Sequence, residues 1–552
     1  MNLETARRYV ENLLDRLIAV ENRFELPGGI LSAKEREALA LLTGGATEVS
    51  ADVAEQSAPV SAPALLNTAV RLSDDCLGQA AVDEHMLCVD FGTAFSKAAL
   101  WLEGDDAPTP LDLGAAAGGA GLIEASTAYI ADGHIFFGSA ASRRFEEEGN
   151  FARQQFSSPK EYLTHDHVRF QTHRPSAAVD PTGQFRTRDL LALFLGHLTS
   201  LAADRVEALG VDRHVLRRFA APGWGDAQIS KATPHFEVVA AQLKHLLIDA
   251  QILADTISPA EWRDGIDVAR AKSALDELAL ITAERREAAT FVERPVLEAV
   301  AAATGVQDKL INRRPQVLVV DVGAGTTDIG IFKYSVIADG ARVAAYRNGM
   351  RALRMAGNRL DDALVELAWS KLGLASDSQL KPTHAHQLRL RIRDLKRDLF
   401  LSEAGAIRID VDGFDDVEVE QLEFERCPGV KHFVNTFEDQ VKSALNGAGI
   451  GSQNFLETNE PNIAVFTGGG GSLPFLRRVI EQPLQLEEGT AYFTIEDPVP
   501  EWVAEIGGDV ERTFPQLAVS AGGCSPFLPD EKASVVDTRI AARRSIRPIY
   551  KS

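Results

Sequence analysis

The chain has 552 residues, 45% of them hydrophobic and 25% charged, and a formal net charge of −22. Such a length predicts a large core divided into more than one domain, and such a composition a globular protein rather than a disordered or fibrous one. The acidic balance argues against wrapping a nucleic-acid backbone. No apolar run reaches the length of a membrane span, and Cys76, Cys88, Cys427 and Cys524 lack paired metal-ligand spacing, which predicts reduced thiols and a cytoplasmic location.

Residues 1–45 predict two helices. In the first, Leu3, Ala6, Val10, Leu13, Leu17 and Ile18 draw one apolar stripe; in the second, Ser32 and Glu35 form a capping box and Gly44-Gly45 supplies the stop. A pair of this kind cannot bury its own stripe, so it is expected to dock on the rest of the chain or on a protein partner. Residues 46–85 begin small, polar and proline-punctuated and predict a linker. From Leu87 to Leu100 an apolar strand runs into Asp90, turns at Gly92, Thr93 and Ala94, and resumes around Ser96. Residues 111–122 are a low-complexity loop. Residues 229–290 read as a helical insertion in which Ser258, Pro259 and Glu261 open a helix carrying the stripe Val268, Ala271, Leu275, Leu278 and Ile281. This insertion is expected to project as a hairpin, as a partner surface or as an elaboration.

Val317 to Phe332 repeats the plan of the first hairpin. Val317, Leu318, Val319 and Val320 show no polar alternation, as in a strand covered on both faces. They lead into Asp321, a turn of Gly323, Ala324, Gly325, Thr326 and Thr327, and then Asp328. Turn N–H groups and threonine hydroxyls suit phosphate oxygens, and flanking carboxylates suit a metal ion. Ile463 to Ile480 carries a third pattern: a short apolar strand meets Gly468, Gly469, Gly470 and Gly471 before a helix start at Ser472 and Pro474. Bare backbone there admits a flat group, and the helix N-terminus favours nearby phosphate.

Taken in order, these stretches resemble the two phosphate motifs and the adenosine motif of the actin and heat-shock chaperone ATPase superfamily, and the DnaK-type chaperones most closely. Ile123 to Ala141, Phe219 to Gln228, Gly357 to Asp361 and Leu388 to Ile409 are similar to further segments of that family, so the resemblance covers residues 86–525. It implies an α/β, two-lobed actin-like ATPase fold with duplicated ribonuclease H-like lobes around a nucleotide cleft. The first lobe would span 86–228, the insertion 229–290, and the second lobe, with its nucleotide-clasping subdomain, 291–525. The remaining 526–552 form a basic tail, with no room for the chaperones' peptide-binding domain. ATP and Mg²⁺ are the implied ligands, slow hydrolysis of ATP to ADP and phosphate the implied activity, and a protein partner is expected through 1–45 or 229–290. A filament-forming ATPase, a small-molecule kinase and a pseudo-ATPase of the same superfamily are the alternatives.

The resemblance also assigns roles. Lys160 matches by position the lysine that approaches the γ-phosphate. Gly92, Thr93, Ala94, Gly323, Ala324, Gly325, Thr326 and Thr327 would hold the phosphates, Lys396 and Arg397 would clasp adenosine, and Gly468, Gly469 and Gly470 would form the floor. Carboxylates facing a polyphosphate are untenable without a cation, so Asp90 and Asp321 are assigned to Mg²⁺ through water and Asp328 to the nucleophile or the metal's shell. The family's interlobe helix opens with a pattern like EPxAAA, whereas here Arg294 stands beside Pro295. Glu293 is taken as the substitute carboxylate, with Glu298 as the other candidate. Arg393, Phe400 and Ser472 stand where the family usually has a glutamate, a small hydroxyl and an arginine.

Overall fold

The computed structural model describes residues 18–20, 23–25, 70–78, 85–119, 121–150, 152–165, 169–221, 233–293, 295–307, 316–337, 340–374, 382–402, 404–411, 413–448, 462–526 and 528. The chain divides into two compact units, Met1–Asn67 and Thr68–Ser552. In the first, Ile18–Val20 pairs antiparallel with Arg23–Glu25. Ile18 thus lies in a strand rather than at the end of the expected helix, as the β-branched Ile18 and Val20 favour. The remainder of the expected helical pair lies outside the described residues.

In the second unit, two hairpins of similar sequence nucleate two sheets of one topology. Met86–Phe91 pairs antiparallel with Phe95–Trp101, which pairs antiparallel with Thr109–Leu111; on its other side Met86–Phe91 runs parallel to Arg217–Ala221, and that strand parallel to Val296–Leu297. The second sheet repeats this order with Gln316–Val322, Thr327–Ile337 and Gly340–Ala345 on one side, Asn462–Thr467 and Phe493–Glu496 on the other. Each hairpin's outgoing strand also takes a short strand beside its turn, Glu124–Ala125 in the first sheet and Arg351–Leu353 in the second. Both central strands are buried along their whole length, as their unbroken apolar runs predict.

The helices Glu298–Gly305 and Gly508–Gly523 pack against both sheets and cross each other at backbone contact. A methyl on Gly522 would lie 1.8 Å from the Ala301 carbonyl oxygen, so the alanines and glycines of these helices are a packing requirement. Their core joins Cys88 and Ala220 of the first sheet to Val317 and Val465 of the second.

The insertion does not project. Thr233–Thr256 packs along Thr187–Ala208, with Leu243, Leu247, Ile248 and Leu253 buried in one core with Leu191, Phe194 and Leu198. Apolar residues run round this helix rather than along one stripe, which buries it. Asp249, fully buried, ties it down by bonding Arg188 at 2.5 Å and Arg286 at 2.7 Å. Further on, Ile266–Asp267 joins a sheet with His134–Phe137, Thr127–Ala131 and Phe156–Ser157. Cys76 and Leu77, from the stretch expected to be linker, are buried in the same core. Outside the second sheet lie Gly357–Lys371, Pro382–Leu401, Pro428–Gly447 and the antiparallel pair Ala406–Ile409 and Val417–Glu420. The chain is thus a mixed α/β protein with several sheets. Among the described residues no helix is long and apolar enough to cross a membrane, and all four cysteines are free.

Candidate functional site

The turns of the two hairpins meet. The first is closed by the Gly92 N–H on the Phe95 carbonyl at 3.1 Å, the second by the Gly323 N–H on the Thr326 carbonyl at 2.9 Å. A methyl on Gly325 would lie 2.6 Å from Thr93 Oγ1, so glycine is required where the second turn touches the first. The helix Gly357–Lys371 starts directly on the second turn, its Gly357 and Asn358 N–H groups donating to the carbonyls of Gly323 (3.1 Å) and Ala324 (2.8 Å). The glycine floor lies against the end of the same hairpin: Gly470 N–H donates to the Val322 carbonyl at 2.9 Å. Gly468 takes φ +78°, and a side chain on it would strike that carbonyl.

Around the meeting point stand Asp90, Lys160, Glu298, Asp321 and Asp328, all buried. Lys160 Nζ lies 3.5 Å from Asp90 Oδ1 and forms an ion pair with Glu298. Lys97, facing Asp90 across the hairpin, reaches Asp90 Oδ2 at 3.0 Å. Burial alone would push the Asp90 carboxyl up, but Lys97 and Lys160 together bring it below the ordinary carboxylate value. For Lys160, burial favours the neutral amine, yet Glu298 and Asp90 outweigh that and hold it charged. Burial raises the Glu298 carboxyl, with Lys160 opposing. The Asp321 carboxyl is raised to about 7 by burial and then by Glu298, although the Thr467 hydroxyl donates to it at 2.8 Å.

Most of the residues singled out in the sequence are therefore brought together: Asp90, Gly92, Thr93, Ala94, Lys160, Asp321, Gly323, Ala324, Gly325, Thr326 and Asp328, with Gly468, Gly469 and Gly470 beyond Val322. Four are placed otherwise. Thr327 spends its hydroxyl on the Met355 carbonyl at 2.8 Å. Lys396 donates to the Gly357 carbonyl at 2.9 Å and pairs with Asp361 at 2.6 Å, so it braces the second turn from behind. Arg397 is exposed and pairs with Asp394 and Asp398 of its own helix. Glu293 is held by Arg218, whose guanidinium also bonds the Ser525 carbonyl, and Glu298 takes the place beside Lys160 instead.

The expectation that the interlobe carboxylate is displaced to Glu293 is thus not met. Val296–Leu297 is a strand, and the helix opens at Glu298. In the run Glu298-Ala299-Val300-Ala301-Ala302-Ala303, Glu298 is buried beside Lys160 and the small residues pack in the core shared with Gly508–Gly523. Lys97 was also missed; counting back across the turn from Asp90 finds it.

Among the described residues no group of three or more His, Cys, Asp or Glu side chains is arranged to hold a metal ion. Mg²⁺ usually keeps several waters and takes one or two carboxylates, so carboxylates separated by lysines fit it only through water. The turns, with bare N–H groups and hydroxyls beside two lysines, have the donor chemistry of a polyphosphate site. No protein-family model and no curated protein matches the chain.

Proposed function

We propose that the chain is an Mg²⁺-dependent, ATP-binding and ATP-hydrolysing switch protein with a two-lobed actin-like fold, similar in plan to the DnaK-type chaperone ATPases. The observation that carries this reading is the contact of two glycine turns, from sheets of one topology, beside the buried Lys160–Glu298 pair. The repeated strand order around a shared pair of helices supports the actin-like arrangement.

Mg²⁺, held through water by Asp90 and Asp321, would neutralise phosphate charge. The turn N–H groups with Thr93 and Thr326 hold the phosphates, and Lys97 and Lys160 present positive charge to them. Asp328 orients the attacking water and Glu298 accepts its proton as water bonds to the γ-phosphorus; the bond from that phosphorus to the β–γ bridging oxygen breaks, ADP leaves with the oxygen, and Lys160 neutralises charge on the γ-phosphoryl group. Loss of the terminal phosphate removes what both turns grip and loosens the closure of the lobes. A protein partner reads that change through residues 1–45 or through the outer side of 229–290, where Leu280 is 73% exposed.

The test is phosphate release from ATP by the purified full chain, with and without Mg²⁺, with nucleotide binding measured on the same samples. Wild type is expected to turn over only with Mg²⁺, and Glu298→Gln to bind nucleotide while turning over about 100-fold more slowly, the lower end of a general-base contribution. Absence of nucleotide binding by the wild type rejects the reading. Tight binding without release reduces it to a nucleotide-sensing protein.

A further inference from the structure

Glu161 has no part in the scheme above, yet it lies in the site. It follows Lys160 directly and opens the short helix Glu161–His165. Its Oε1 accepts a hydrogen bond from Asn358 Nδ2 at 3.2 Å, and Asn358 is seated on the second turn by its own N–H. A methyl built on Gly325 would lie 3.1 Å from Glu161 Oε1 and 2.6 Å from Thr93 Oγ1. A carboxylate oxygen thus stands beside the bare backbone of the second glycine turn, close to where that turn touches Thr93 of the first. On the far side, Asn358 Oδ1 accepts from Arg393 at 3.2 Å, which fixes the amide with its Nδ2 toward Glu161.

An anion resting on a turn suited to anions is the arrangement that a bound phosphate would make. We infer that Glu161 is a resident anion of the second turn, occupying the place of a phosphate oxygen, and that a nucleotide must displace it to bind. The inference rests on the nucleotide reading of the site. The displaced carboxylate hands Asn358 Nδ2 to the phosphate, so the hydrogen bond is exchanged rather than lost, and the opposing contribution is the repulsion between like charges. Glu161 then sets the affinity for phosphate-bearing ligands and leaves the base and sugar untouched.

Glu161→Gln separates charge from shape, because the amide oxygen still accepts from Asn358. In the full chain, MgATP is expected to bind Glu161→Gln about tenfold more tightly than wild type, with the gain shrinking as salt is raised. Adenosine, which has no phosphate, is expected to bind both equally. Glu161→Ala, lacking charge and acceptor, is expected to show the same preference for MgATP. If wild type binds MgATP and neither variant binds it more tightly, the inference is overturned and the nucleotide reading stands. If adenosine gains as much as MgATP, a steric effect replaces the electrostatic one and the inference is again overturned. If neither wild type nor variants bind nucleotide, both readings fall.

Discussion

In the first hairpin Asp90 stands across from Lys97; in the second, built on the same strand order, Asp321 stands across from Asp328. Both aspartates are buried at the end of a central strand. Burial raises each, but Lys97 and Lys160 bring Asp90 below the ordinary value, whereas Asp321, with Glu298 nearby, stays raised to about 7. Topology fixes where a carboxylate stands, and the charged side chains packed around it fix whether it is charged. The first turn is neutralised by its own chain. The second is short of positive charge, so it is the side where a bound cation has most to gain.

The contrast is broken most severely at Lys160. Lys160→Met leaves Glu298 and Asp90 buried with a shared cation gone, and the expected loss of stability is about 3–5 kcal/mol by urea unfolding at neutral pH. Adding Glu298→Gln to the same chain removes one of the stranded charges and recovers a measurable part of that loss, a coupling that a double-mutant cycle reads directly. A loss below about 1 kcal/mol would mean that water reaches the pair and screens it.

Lys97→Met is the milder version, because Lys160 still faces Asp90. It makes the first hairpin resemble the second, and about 1–3 kcal/mol is expected to be lost at pH 7. The sign with pH follows from Asp90. A carboxyl held below its unfolded value contributes stability above that value, and the contribution is lost as pH falls through the folded one. The gap between wild type and Lys97→Met is therefore widest at neutral pH and closes in acid. A gap independent of pH would assign the loss to packing of the lysine stem instead.

The legible part of this molecule was the part written in runs. Val317 to Val320 and the Asp-Gly-Thr turns announce both hairpins, because a doubly covered strand and a tight turn each need particular residues at adjacent positions. What depended on register or helical phase was less visible. Lys97 matters only because the turn length sets it across from Asp90. Arg397 follows Lys396 on a helix, where neighbouring residues point about 100° apart, so both could not face one ligand. Glu298 was obscured because Pro295 drew the start of the helix to itself, whereas Val296 and Leu297 first complete the sheet. The stripe Val268, Ala271, Leu275, Leu278 and Ile281 is buried as its spacing predicts, but it shares one core with Leu243, Leu247 and Leu253 of Thr233–Thr256, so the insertion packs instead of projecting.

The same rule is tested away from the site on a buried group with nothing to neutralise it. His197 lies in the helix Thr187–Ala208, stacked on Phe137 with ring centres 5.4 Å apart and tilted against Trp262 at 6.3 Å. Neither ring nitrogen meets a hydrogen-bond partner among the described residues. Burial lowers the imidazole to about 3. A histidine held below its unfolded value resists protonation only while folded, so its stability is intact above about 6.5 and is lost as pH falls toward 3. At pH 5 the expected loss is about 2 kcal/mol, since each unit below 6.5 is worth about 1.4 kcal/mol. His197→Leu removes the titration, so between pH 7 and pH 5 the wild type is expected to lose about 2 kcal/mol more than the variant by urea unfolding. Equal losses would mean that the imidazole accepts a proton within the fold, and hence that a polar partner reaches it between Phe137 and Trp262.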